Sequence, residues 1–96
     1  MFPIKTFDER FRALLEALDQ LAGETGSEDL EELNAEFEDA LFLVSQIDFK
    51  GENWREELGD ALEELDALRE DYQDQPGAED IARQMDGLIR MAEGEI

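Results

Sequence analysis

From Phe7 onward, apolar residues recur three or four positions apart. Phe7, Phe11, Leu14, Leu15, Leu18 and Leu21 fall on one stripe of a helix with about 3.6 residues per turn. Thr6 with Glu9 reads as a capping box and Gly23 as a stop, which predicts a helix over residues 7–22. Before it, Met1 to Lys5 reads as a short extended arm around Pro3. Ser27 is placed to cap a second helix over 28–50, with Leu30, Leu33, Phe37, Ala40, Val44 and Ile47 as its seam. Asn53 with Glu56 suggests another capping box, opening a helix over 54–74 whose seam is Trp54, Leu58, Ala61, Leu65, Leu68 and Tyr72. Gln75, Pro76 and Gly77 break the pattern. A fourth helix over 78–93 buries Ile81, Ala82, Met85, Leu88, Ile89 and Ala92. No segment alternates with the period of a strand. Four amphipathic helices joined by short loops predict an all-α single domain, an antiparallel up-down-up-down four-helix bundle.

One stretch carries more apolar residues than a seam needs. Ala40 to Val44 are five in succession, and five consecutive side chains cannot all face one core. Ala35, Phe42 and Phe49 recur seven apart, nearly opposite the Phe37 and Val44 seam. Such a second stripe predicts a homodimer or a partner contact. The competing reading is that Phe49 lies past the helix end and folds back, with Phe42 covered by the arm of residues 1–4.

Charge changes the picture further. Against 28 Asp and Glu stand 8 Lys and Arg, a net charge of −20 in 96 residues. That balance repels nucleic acid and anionic membranes and attracts basic proteins or cations. There is no Cys and no His. Thiolate metal sites, disulfides and the usual general base are thereby removed. With no long apolar run and no signal-peptide pattern at Met1 to Lys5, a cytoplasmic location is the default expectation. The acids are unevenly spread. The second and third predicted helices each carry −7, and the outer two −2 each. Over about 30 Å of helix, a DNA strand carries about nine phosphates, so the middle hairpin is comparable in charge density.

A second chemistry is also written here. Glu57, Leu58, Gly59 and Asp60 resemble the ELGD signature of MazG-like nucleoside triphosphate pyrophosphohydrolases, with Glu36 and Asp39 upstream and 17 residues between Asp39 and Glu57. The resemblance implies that Glu36, Asp39, Glu57 and Asp60 hold Mg²⁺ and activate water, a role suited to hard oxygen ligands. Asp39 stands where the family's first motif has Glu.

The reading that best joins charge and pattern is a non-enzymatic interaction protein without a cofactor. Its partner would be a basic protein surface, such as that of a nucleic-acid-binding protein or nuclease, engaged by nucleic-acid mimicry. In size and charge the chain is similar to the small helical anti-restriction and anti-CRISPR proteins. Glu31, Glu32, Glu38 and Asp39 with Glu56, Asp60, Glu63, Glu70 and Asp74 are the expected contact residues. The alternatives are the Mg²⁺-dependent hydrolase and a salt-adapted structural protein whose acids are only a solvated surface.

Overall fold

The computed structural model describes residues 2–96; Met1, the first residue of the expected arm, lies outside them. Four helices follow one another, α1 (Ile4–Thr25), α2 (Glu28–Ser45), α3 (Trp54–Gln73) and α4 (Glu79–Glu93). Each packs on the next and α1 closes against α4, so the ring of neighbours is complete. The result is the expected four-helix bundle, a rod of 43 × 20 × 20 Å. Short connections turn each helix back beside its predecessor. Phe2, Phe49 and Trp54 consequently meet at one end, while Leu21 lies beside Gly77 at the other.

The expected seams are the core, with additions. Phe7, Phe11, Phe37 and Tyr72 form a continuous aromatic file through the middle, with ring centroids 4.5, 6.0 and 6.1 Å apart. Their edge-on and tilted contacts suit the ring quadrupoles. Leu41 and Leu62 are buried as well, because a helix in a closed ring faces two neighbours and buries a stripe wider than one seam. Asn34, only 4% exposed, is the one buried polar side chain among the described residues.

Helix ends depart most from expectation. α1 begins at Ile4 rather than Phe7, because Pro3 already has a near-helical φ and its carbonyl accepts from the Phe7 N–H at 3.1 Å. Thr6 and Glu9 therefore lie inside the helix and form no capping box. α1 also runs through Gly23 to Thr25, and the left-handed cap is Gly26, whose φ of 65° favours glycine and whose N–H donates to the Ala22 carbonyl. Ser27 does cap α2, its hydroxyl accepting from the Leu30 N–H at 3.2 Å. Asn53 precedes α3 without a side-chain cap bond, so that expected capping box is absent.

α2 stops at Ser45, short of the expected Lys50. The Ser45 hydroxyl donates to the Phe42 carbonyl, and the Asp48 carboxylate accepts from the Lys50 N–H. Both bonds offer the backbone an alternative to another helical turn. Ile47 and Phe49 thus belong to a loop, yet both pack on the core. Phe49 stacks on Phe2 with centroids 5.6 Å apart and planes 7° from parallel.

Candidate protein-binding surface

Two adjacent antiparallel helices leave a groove along their line of contact, and α2 and α3 line theirs with carboxylates. At one end stand Asp29, Glu32 and Glu36 of α2 facing Asp71 and Asp74. Glu36, Glu64 and Asp71 border the middle above Ala67 and Leu68. At the other end Leu43, Gln46 and Ile47 face Glu57, Asp60, Ala61 and Glu64. The groove thus has eight acids and no Lys or Arg along it. From residue 57 to residue 74 is about 26 Å of helix axis. One charge therefore falls every 3–4 Å or so, close to the ~3.4 Å phosphate spacing along one strand of duplex DNA.

The basic residues are elsewhere, and that separates the charge. Arg69, on the α4 side of α3, reaches Asp66 at 3.0 Å and Asp86 of α4 at 3.5 Å. Arg90 of α4 meets Asp66 and Asp86 at 3.3 Å and Glu93 at 2.9 Å. Its hydrogen bond to Glu93 and the surrounding carboxylates hold its pKa above the ordinary arginine value. Arg12 pairs with Asp8 on α1, and Arg83 with Asp80 on α4. Arg55 sits over the Trp54 ring, 5.0 Å from its centroid. Among the described residues, every ion pair lies on α1, α3 or α4, and the acids of the groove form none.

The residues expected at a contact are all exposed, but they divide among several surfaces. Glu32, Asp60 and Asp74 line the α2–α3 groove. Glu31 and Glu38 line the α1–α2 groove instead, beside Asp19 and Asn34. Glu70 lies 3.6 Å from Arg69. Asp39, Glu56 and Glu63 are exposed outside the α2–α3 groove. The expected contact residues lie opposite the seam; acids that flank it, Glu36, Glu57, Glu64 and Asp71, come together where the helices meet. The signal that locates the three on α3, Glu57, Glu64 and Asp71, is their seven-residue spacing on the side of the seam toward α2.

The second apolar stripe divides too. Phe42 is 61% exposed and Leu43 50%, and Ala35 is exposed beside the α1–α2 groove. Phe49 is not part of that surface, because α2 ends before it and its ring turns into the core. The arm covers Phe49 and Trp54 through Phe2 and leaves Phe42 bare.

The four carboxylates implied by the MazG-like resemblance are spread out. Glu36 borders Glu64 and Asp71, whereas Glu57 and Asp60 stand at the Leu43 end. Glu64 and Glu57 are seven residues apart on α3, about 10 Å of axis. Among the described residues, no group of three or more His, Cys, Asp or Glu side chains is arranged to hold a metal ion. Nor is any helix among them long and apolar enough to cross a membrane.

Comparison of the chain with protein-family models, curated proteins and solved structures found no match.

Proposed function

We propose that this protein acts without catalysis by binding a basic protein surface in the α2–α3 groove, as a mimic of the nucleic acid that surface normally holds. The observation that carries the reading is the row of eight groove carboxylates without a single Lys or Arg among them. A solvated acidic surface has no need to sort its charges. Here Arg69 and Arg90 stand at the α3–α4 contact, where they neutralise Asp66, Asp86 and Glu93, and no ion pair reaches the groove acids. The unpaired acids have an axial charge density near that of one DNA strand, so a basic surface that binds such a strand would be attracted to them and release the same condensed counterions. Rigid helices hold the row in place, which lowers the entropy cost of binding.

The test uses a panel of purified basic nucleic-acid-binding proteins and nucleases. Binding is measured with and without competing single-stranded and duplex nucleic acid. The triple variant Glu36→Lys, Glu64→Lys, Asp71→Lys is compared with Glu9→Lys, Glu16→Lys, Glu95→Lys, which changes net charge equally outside the groove. The expected result is a complex that nucleic acid displaces, that weakens steeply with salt, and that only the groove variant loses. Equal loss in both variants, or no complex with any panel member, overturns the reading.

A further inference from the structure

We propose that the occupant of the α2–α3 groove is a basic amphipathic helix of the partner protein, its apolar side seated at the Leu43 end and its Lys or Arg side chains lying along the acids. This rests on the reading above and names the form of the partner. The groove is not uniformly polar. At one end its surface is Leu43, Ile47 and Ala61, rimmed by Glu57, Asp60 and Glu64. Leu43 and its neighbour Phe42 stand half or more exposed on α2, although a phosphate mimic needs no apolar surface at all. Exposed aromatic and aliphatic side chains next to each other are what a partner's apolar anchors bury.

Charge selects among the occupants of that apolar end. A second copy of this chain would bring its own Glu57, Asp60 and Glu64 against the same rim, and like charges at close range oppose association. A nucleic acid is repelled for the same reason. A helix with apolar residues on one side and Lys or Arg on the flanks satisfies both parts of the groove at once. Helix-in-groove docking is an established mode of recognition. About 26 Å of groove accommodates roughly 17 residues of such a helix.

Two synthetic peptides of roughly 17 residues and identical composition test the idea. In one, Leu and Ile occupy one helical side and Lys and Arg the flanks; in the other, the same residues are shuffled around the helix. Fluorescence anisotropy gives affinities at low and moderate salt, and circular dichroism follows helix formation on binding. The amphipathic peptide is expected to bind at least about tenfold more tightly, since seating one Leu-sized anchor accounts for that factor. The double variant Phe42→Ser, Leu43→Ser changes only exposed side chains. It should remove most of the difference and leave the shuffled peptide's affinity unchanged. Equal affinity of the two peptides overturns the proposal while leaving the charge-based reading standing; failure of both to bind at low salt removes both readings. Sedimentation of the wild type as a dimer that Phe42→Ser converts to monomer would make a second copy the occupant and also overturn the proposal.

Discussion

The Tyr72 hydroxyl of α3 donates a 2.7 Å hydrogen bond to Oδ1 of Asn34 on α2. Asn34 Nδ2 in turn donates to Asp19 Oδ1 of α1 at 3.0 Å. Three helices are joined by one relay, and it fixes their axial register in a core that is otherwise apolar. A shift of α3 by one turn would leave both Tyr72 and Asn34 without partners in the interior, where an unpaired polar group is destabilising.

Tyr72→Phe should therefore destabilise the fold by about 1–2 kcal/mol, because it strands the Asn34 carbonyl. Adding Asn34→Leu should recover most of that loss, since both polar groups are then gone. Urea denaturation of the two single variants and the double variant measures the coupling. An additive double variant would show that the Tyr72–Asn34 bond carries no coupling energy.

The same hydroxyl predicts an alkaline response. Burial first, then the nearby charges of Asp19 and Glu36, push the Tyr72 pKa well above its ordinary value of 10.0. The unfolded chain loses this proton near pH ~10 while the folded chain keeps it. Above that pH the unfolded state binds fewer protons, so this contribution to stability is full below about pH 10 and declines as pH rises further. Tyr72 is the sole tyrosine, so phenolate absorbance reports it alone. Its ionisation should coincide with alkaline unfolding rather than precede it.

Removing charge from the groove should stabilise the protein while weakening binding. Glu36→Gln and Glu64→Gln each relieve repulsion from neighbouring carboxylates, by roughly 0.2–0.5 kcal/mol at low salt. The gain should fade in about half-molar salt, where screening already acts over ~4 Å. Thermal unfolding at the two salt levels reads the first effect and the binding panel the second. Loss of stability on neutralisation would mean that these carboxylates have stabilising partners in the fold.

Phe2→Ala should open the end of the bundle. Phe2 is 5% exposed and touches Phe7, Phe49 and Trp54. The loss is expected to be at most about 3 kcal/mol, the low end for a buried Phe, because the arm lies at a chain end and can relax. Trp54 is the sole tryptophan, and its emission should shift to the red. An unchanged spectrum would show that the arm does not cover it.

Gly59→Ala separates helix propensity from the ELGD pattern. Gly59 lies inside α3, and an added Cβ there meets nothing within 4 Å. The substitution should stabilise the protein by about 0.5–1 kcal/mol. A loss in urea denaturation would require this glycine to serve a conformation other than the helix.

The seams were legible in the sequence because a helix of fixed period must place its apolar residues on one side, whatever its neighbours. Phe37, Leu58, Leu65 and Met85 follow from that alone. Asn34 did not, since its burial depends on Tyr72 arriving from another helix to donate to its carbonyl. The early stop of α2 was hidden because the apolar spacing continues through Ile47 and Phe49 after the helix has ended. The groove was half legible. The excess of acids on α2 and α3 was plain, but whether Glu57 or Glu56 borders the neighbouring helix depends on how α3 is rotated against α2, and no single-helix pattern contains that angle.

Pairing of carboxylates by Arg69 and Arg90 at the α3–α4 contact, beside a groove whose acids stay unpaired, gives the rod an electric dipole across its short axis, in addition to its net charge. The field of a positively charged partner would exert a torque on that dipole and turn the α2–α3 side forward before any atoms touch. Orientation is a large part of what slows protein association. Exchanging charge between the two sides, with Arg90→Glu and Asp39→Arg together, would leave net charge unchanged and reduce that torque, so its effect belongs to the rate of encounter rather than to the lifetime of a complex.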